Sequence, residues 1–303
     1  MLCLVPCAFE KEGVPMAITR MIHLCWMQIK ELLRTPIFYV YVGLFFVYYH
    51  YLNQSTVRLQ QESGLWVNAW GYTAGVFSNY LSTLAFGLGA VMLFSDLPLI
   101  REYALFESVR CSRNEWVGGR ILYVIFMSVL YTFIMMFLCV LTCRGRLTET
   151  ESWGKLLNTI ANGYSFSDYS VPVELSTGVT GRYTPLQAFG LTAGMGILAS
   201  SVVGLVMLCL SLGFGRVVAL SGASCLAVFD FVIYQKMPFW CYRLSPLSFT
   251  RLSIICNYDM PYYPNAKEAL ITSLLINAGC IVLTILISHW NKHFANQILK
   301  EQY

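Results

Sequence analysis

The residues that could carry out chemistry are few and scattered in this chain of 303 residues. His289 and His293 have the i, i+4 spacing of a zinc pair on a helix, but the glutamate of a zinc protease motif does not follow the first histidine. No phosphate-binding loop of the G-x-x-x-x-G-K-[ST] type occurs. We therefore predict no catalytic residue, no metal site and no cofactor in this chain, and we do not expect it to be an enzyme.

One acid, Asp230, lies deep inside an apolar run. A buried acid must face protein or water, or hold a proton. Three interpretations stay open: Asp230 bonds a nearby hydroxyl, carries a proton, or lines a substrate route with other polar residues of apolar runs. The other candidates for such a route are Asn79, Ser82, Thr83 and Asn277.

Composition indicates which elements must position these residues. Hydrophobic residues make up 57% of the chain and charged residues only 12%, whereas soluble domains carry about 25% charged residues. A core of this size could not be coated with so little charge, so we predict a membrane protein. The net charge of +4 is too small to indicate nucleic acid, and it suits a chain that lies against anionic lipids.

Six apolar runs are long enough to cross a bilayer, which takes about 20 helical residues. The fold class predicted is therefore an all-α polytopic membrane protein. The second run is the most polar, but its apolar positions continue a helical face, so we predict one helix there. The short link 213–216 predicts that the fourth and fifth spans are neighbours. The six runs are 36–53, 71–95, 119–143, 186–212, 217–235 and 269–290.

The N-terminal part divides in two. Residues 1–15 form an extension without predicted structure, and either Met1 or Met16 could be the true start. Residues 16–35 predict an amphipathic helix in the plane of the membrane surface, or else an extension of the first span. Its expected apolar face holds Ile18, Ile22, Cys25, Ile29 and Leu33, and its polar face and boundary hold Arg20, Trp26, Lys30 and Arg34.

Positive charge sets the predicted orientation. The short connections that follow even-numbered spans are dense in arginine, whereas the loop 54–70 has only Arg58. Because such bias marks the cytoplasmic side, we predict cytoplasmic N- and C-termini, in the plasma membrane of a bacterium.

The segment of about 96–118 is charged and partly apolar, and it joins the second and third spans. It predicts a short helix that docks on another protein, or a solvated loop that sets topology. Its candidate docking residues are Asp96, Leu97, Pro98, Ile100, Arg101, Glu102, Phe106, Arg110 and Arg113.

This segment resembles one in the ABC-2 type exporter permeases. An acid and a proline follow the second span, and an R-x2-R-x2-W-x3-R string runs from Arg110 to Arg120. The order of parts from Met16 onward is similar too: an interfacial helix, six spans, and RLSPLSFTRLS at 243–253. The resemblance implies that 96–118 and the interfacial helix contact a separate ATPase subunit, which binds ATP and Mg. It also implies short re-entrant helices at 238–262, and a second permease copy or a related permease as partner.

Three local features leave alternatives. The external loop 144–184 is either a small cap or a mobile loop. Cys241 and Cys256 are both expected outside, where they could form a disulfide or stay free. The small residues Gly196, Ser200 and Gly204 permit close helix contact, either within one subunit or between two.

Two main functions follow. The first is the membrane subunit of an ATP-driven exporter of a peptide, a lipid or a drug-like molecule. The alternative is an ion-coupled secondary transporter, a class that favours inverted repeats, broken helices and paired ionisable groups, although no repeat is evident and Asp230 stands alone in its run. A non-transporting membrane sensor or immunity protein is a third interpretation.

Overall fold

The structure, a computed structural model, describes residues 14–95, 112–143, 147–149, 152–163, 171–256 and 263–290. These residues are mostly helical, with a parallel pair of two-residue strands, β1 and β2. In chain order the elements are α1 (Val14–Arg34), α2 (Pro36–Ser63), β1 (Val67–Asn68), α3 (Ala69–Phe77), α4 (Tyr80–Phe94), α5 (Arg113–Thr142), β2 (Leu147–Thr148), α6 (Gly154–Ala161), α7 (Thr177–Thr180), α8 (Pro185–Phe214), α9 (Arg216–Lys236), 3-10 turns at Phe239–Leu244 and Ser248–Thr250, α10 (Leu252–Ile255) and α11 (Ala266–Trp290).

Four helices, α5, α8, α9 and α11, are each long and apolar enough to cross a membrane. Two further pairs meet the same test only when joined: α1 with α2, bent by 66°, and α3 with α4, bent by 77°. The described chain therefore has the architecture of an all-α membrane protein, with four to six candidate spans.

Side-chain caps set where two of the long helices begin. Ser112 and Glu115 form a reciprocal capping box that starts α5 at Arg113, and Thr184 and Gln187 form another that starts α8 at Pro185. Gly215 alone separates α8 from α9, with a φ of 93° that favours glycine. The two helices pack against each other, as the short link predicts.

Helix α8 lies at the centre of the bundle and is the most buried of the four long apolar helices, whereas α11 is the least buried. A Cβ on Gly196 would lie 3.0 Å from the Thr132 side chain, and one on Gly204 would lie 2.6 Å from Val124. Both contacts are with α5 of the same chain. Gly196 and Gly204 therefore allow close packing of α8 on α5 within one subunit.

The prediction of one continuous helix over 71–95 is wrong, because the chain breaks at Ser78 and Asn79. Side chains at the break add hydrogen bonds to the backbone groups there. Ser78 Oγ donates to the Ala74 carbonyl at 2.9 Å, and Asn79 Oδ1 caps α4 by accepting from Leu81 N–H at 2.9 Å. Short polar side chains compete with the helix in this way.

The described parts of the external loop pack on α3. Trp153 is buried, its Nε1 donates to the Tyr183 carbonyl at 2.8 Å, and a Cβ on Gly71 would lie 2.9 Å from its ring. These residues pack together against α3. Nearby, Cys241 and Cys256 are both free thiols, so the alternative of a disulfide between them is not realised.

Candidate functional site: a buried charged cluster and a helix clamp

A buried charged cluster lies at the break between α3 and α4. We define it as Glu174, Asp230 and Arg251. Asp230 projects from α9 and is 1% exposed, while Arg251 lies just before α10 and is 3% exposed. Glu174 belongs to the extended segment 171–176 of the external loop, and its side chain is 29% exposed, so it forms the outer edge of the cluster. Three segments that are distant in sequence therefore bring their charges to one point.

Arg251 is the centre of the cluster. Its Nη2 donates to Glu174 Oε2 at 3.0 Å, its Nε donates to the Ser78 carbonyl at 3.0 Å, and its Nη1 lies 3.9 Å from Asp230 Oδ2. Its guanidinium carbon lies 5.2 Å from the centre of the Tyr234 ring, within cation–π range. A planar cation with several donors suits these partners.

The cluster satisfies the backbone groups that the break exposes. The last carbonyls of a helix carry partial negative charge, and Arg251 supplies a cation to that of Ser78. The Leu252 N–H donates to Ser78 Oγ at 3.0 Å, and the Glu174 N–H donates to the Gly75 carbonyl at 3.1 Å. The break is therefore held by contacts from two loops.

Glycine is required at position 75 for this contact. A Cβ on Gly75 would lie 2.5 Å from Val173 Cγ1 and 3.2 Å from Leu175 Cγ. The absence of a side chain lets the segment 171–176 approach α3 closely, and that approach positions Glu174 beside Arg251.

Two carboxylates share one guanidinium here, which leaves an excess negative charge when all three are ionised. Burial raises the pKa of Glu174, and the charge and hydrogen bond of Arg251 partly oppose this rise. Asp230 accepts a hydrogen bond from the Ser248 hydroxyl through Oδ1, while its buried Oδ2 has no hydrogen-bond partner among the described residues. Such a site can hold a proton as well as an ion pair. No three His, Cys, Asp or Glu side chains in the described ranges are grouped closely enough to hold a metal ion.

The bond from Ser248 agrees with the interpretation that Asp230 binds a hydroxyl. Of its proposed companions, Asn79 caps α4, Thr83 Oγ1 donates to the Phe77 carbonyl at 3.2 Å, and Ser82 is fully buried. These three thus lie at the break.

Asn277 lies elsewhere, because it joins α8 to α11. It accepts from Ser201 Oγ at 2.6 Å and donates to the Leu198 carbonyl at 3.2 Å. Its hydrogen bonds among the described residues include none to the charged cluster. The structure therefore does not gather the five candidates into one group.

Sequence reasoning missed Arg251 and Glu174. Each lies in a loop and has no acid or base nearby in sequence that would mark it. One signal was available: a solitary acid inside a span requires a partner, and Arg251 stands in an apolar segment of the adjoining connection.

A second site, the α1–α5 clamp, lies where α1 crosses the start of α5. Arg20 Nη1 lies 3.8 Å from Glu115 Oε1, and the Gln28 amide oxygen faces Arg120 Nε and Nη1 at 3.2 and 3.1 Å. Arg120 is 1% exposed, and its guanidinium lies 4.9 Å from the centre of the Trp116 ring. The clamp therefore combines an ion pair with a buried cation.

Two glycines of α5 allow α1 to pack closely against it in the clamp. A Cβ on Gly118 would lie 2.9 Å from Met21, and one on Gly119 would lie 3.2 Å from Leu24. The helices thus touch along the first two turns of α5. Glu115 links the clamp to the capping box, because its other oxygen, Oε2, accepts from the Ser112 N–H at 2.8 Å.

The predicted apolar face of α1 divides into two. Cys25 and Ile29 are buried against the bundle, whereas Ile18, Ile22 and Leu33 are exposed. The division follows from packing, since α5 covers only part of a wide apolar face.

Of the predicted polar and boundary residues of α1, Trp26, Lys30 and Arg34 lie on its exposed side, whereas Arg20 faces α5 in the clamp. Trp26 is 51% exposed, with Lys30 Nζ lying 5.4 Å from its ring centre, and Arg34 is exposed in the last turn. An exposed apolar stripe with basic neighbours is compatible with a membrane surface.

Most predicted docking residues, from Asp96 to Arg110, lie outside the described residues. Arg113 is the first residue of α5. Both chain ends that flank the gap are fixed: Arg216 Nε donates to the Ser95 carbonyl at 3.1 Å, and Ser112 caps α5.

Comparisons with protein-family models, with curated proteins and with solved structures found no match to this chain.

Proposed function

We propose that this chain is the membrane-spanning permease subunit of an ATP-driven exporter of the ABC-2 type. It has six spans and cytoplasmic termini in a bacterial plasma membrane, with short re-entrant helices in 238–262. The residues of 96–118 dock on a separate ATPase subunit that binds ATP and Mg. A second permease, either a copy or a relative, completes a route for a peptide, a lipid or a drug-like molecule.

The observation that carries this proposal is the α1–α5 clamp. The docking segment leads directly into Ser112 and Glu115, and Glu115 is paired with Arg20 of α1. On its other side the segment follows Ser95, which Arg216 holds to α9. A movement imposed on this segment would be transmitted to α1, α4, α5 and α9 together, which is what coupling to a motor requires.

Copurification of ATP hydrolysis with the tagged full-length chain from its native cells tests the proposal. We expect ATPase activity to copurify with the wild type and to fall at least about tenfold in the double variant Arg101→Glu and Arg110→Glu, since contacts worth about 1.4 kcal/mol are lost. The variant Lys155→Glu, in α6 of the external loop, is the matched charge-reversal control. Activity that survives in the double variant, or that never copurifies, would contradict the proposal.

Ion-coupled secondary transport is the second candidate, because the broken span carries a buried charged cluster. Broken helices with paired ionisable groups are typical of that class. Under this alternative, flux into vesicles would require a proton or sodium gradient and no ATP. Asp230→Asn would then abolish the ion dependence, whereas an exporter would lose stability without acquiring any dependence on an ion gradient.

A further inference from the structure

An open cleft of about 170 Å³ lies between the C-terminal parts of α2 and α5. Its walls are His50, Gln54, Val57 and Arg58 from α2 and Thr142 from α5. His50, Gln54 and Arg58 are spaced by four residues, so they share one side of α2, and all three are exposed.

The exposed stripe of α2 changes character at this cleft. Positions spaced by three and four residues form a continuous stripe that ends at Gln54 and Arg58. The members of the stripe that precede Gln54 are apolar, and each is 56–77% exposed. They are Val40, Leu44, Val47 and Tyr51. An apolar track thus leads along the helix to a polar end.

The length of α2 places that polar end at a membrane boundary. From Pro36 to Gln54 the helix rises about 27 Å, which is close to the hydrocarbon thickness of about 30 Å. The cleft therefore lies at the depth of lipid headgroups on the side opposite Pro36. This step depends on α2 being a span, as in the proposed function, but not on the ATPase.

Most of the cleft wall is apolar, and the charge of the exposed residues beside it is complementary to an anion. Arg58 supplies a guanidinium, and none of the ion pairs among the described residues includes it. Gln54 adds an amide donor, and the ring of His50 stacks on Phe46 with centres 6.4 Å apart. A guanidinium binds phosphate through two parallel hydrogen bonds.

We propose that an anionic phospholipid binds at this cleft, with the exposed Arg58 and Gln54 contacting its phosphate beside the apolar wall and an acyl chain lying along Val40 to Tyr51. The apolar track favours a lipid over a free anion, because inorganic phosphate would have no use for it. The site is separate from the charged cluster and from the α1–α5 clamp.

Native mass spectrometry of the full chain, with equal amounts of phosphatidylglycerol and phosphatidylcholine added, tests the site. We expect the wild type to retain phosphatidylglycerol preferentially and Arg58→Gln to retain about tenfold less, as expected for the loss of one charge-assisted contact. Val57→Phe, which fills the cleft without changing charge, should cause a similar loss. Lys155→Gln removes the same charge from α6 and should behave as the wild type.

Adding excess inorganic phosphate distinguishes a lipid headgroup from a free phosphate ion as the bound anion. We expect it to leave the bound lipid in place, and displacement by phosphate alone would overturn the lipid as occupant. Equal retention of phosphatidylglycerol by the wild type, Arg58→Gln and Val57→Phe would overturn the site. An equal loss of lipid in Lys155→Gln would also overturn it, because it would show that any positive charge on the protein attracts the anionic lipid. Thermal unfolding of each variant confirms that it is folded.

Discussion

Arg251 donates a hydrogen bond from Nε to the carbonyl oxygen of Ser78 at 3.0 Å, across 173 residues of sequence. The bond joins the break in the α3–α4 pair to the connection between α9 and α11. Because the same guanidinium also contacts Glu174 and Asp230, one side chain holds four segments together.

Replacing Arg251 should therefore destabilise the protein strongly. Arg251→Gln leaves the buried Asp230 and the partly exposed Glu174 without their cation, and loss of the partner of a buried charge costs about 3–5 kcal/mol. Arg243→Gln is the control, because Arg243 is half-exposed and 3.8 Å from Glu268, and such a pair contributes at most about 1 kcal/mol. Unfolding in detergent measures both, and equal effects would contradict the central role of Arg251.

A methyl group at position 75 should separate the external loop from α3. Gly75→Ala places a Cβ 2.5 Å from Val173, and overpacking of this kind costs about 1–3 kcal/mol. Gly43→Ala is a matched control in α2, where nothing lies within 4 Å, and it should stabilise the helix by about 0.5–1 kcal/mol. Thermal unfolding that ranks the two variants the other way would refute the packing described here.

The stability contributed by Glu174 should depend on pH. Burial raises its pKa, so the folded protein keeps a proton on Glu174 at pH values where the unfolded chain has released it. The contribution is complete below the usual glutamate pKa and is lost as pH rises towards the raised value. The groups facing it are Arg251, Asp230 and the Tyr80 backbone. Glu174→Gln should remove this slope from a plot of unfolding free energy against pH, and an unchanged slope would show that other groups cause it.

Widening the α1–α5 clamp should expose Cys25, which is 6% exposed. Gly119→Val pushes against Leu24, and overpacking worth about 1.4 kcal/mol would speed maleimide labelling of Cys25 on the order of tenfold. Gly279→Val is the control, since nothing lies within 4 Å of that glycine. Site-resolved mass spectrometry of the detergent-solubilised protein measures the rates. Unchanged labelling would argue against close contact.

Labelling of intact cells tests the orientation. With Cys111 as the sole cysteine, an impermeant maleimide should react only after permeabilisation, because we expect the segment 96–118 to be cytoplasmic. With the native cysteines removed and Lys155→Cys introduced, it should react in intact cells. The reverse pattern would invert the proposed topology and remove the basis for a cytosolic ATPase partner.

The long apolar helices could be predicted from the sequence, because 20 or more consecutive apolar residues have few alternatives to a span. The runs 186–212 and 217–235 lie within α8 and α9, whose bounds are Pro185–Phe214 and Arg216–Lys236. The short link between them, 213–216, could also be predicted, and it contains Gly215. The bend between α3 and α4 could not be predicted, because Ser78 and Asn79 are tolerated in spans and only their contacts with Arg251 and Leu81 show that they end one helix and start another.

The charged cluster was only partly predictable. Asp230 was conspicuous inside its apolar run, but Glu174 and Arg251 reach it through tertiary contacts, and loop conformation is not encoded by periodicity. The residues that share the apolar face of α1 follow from helical periodicity, while the division of that face between α5 and the exterior depends on where α5 lies.

The dependence of the broken helix pair on Arg251 has a consequence for biogenesis. When the ribosome has delivered α3 and α4 to the bilayer, Arg251 is still more than 150 residues from being synthesised, so it cannot yet donate its hydrogen bond to the Ser78 carbonyl. The early translation product must keep that pair in a provisional arrangement, straight or shielded by the insertion machinery. The broken pair can reach the arrangement described here only after α9 has been inserted and the chain through Leu252 has emerged.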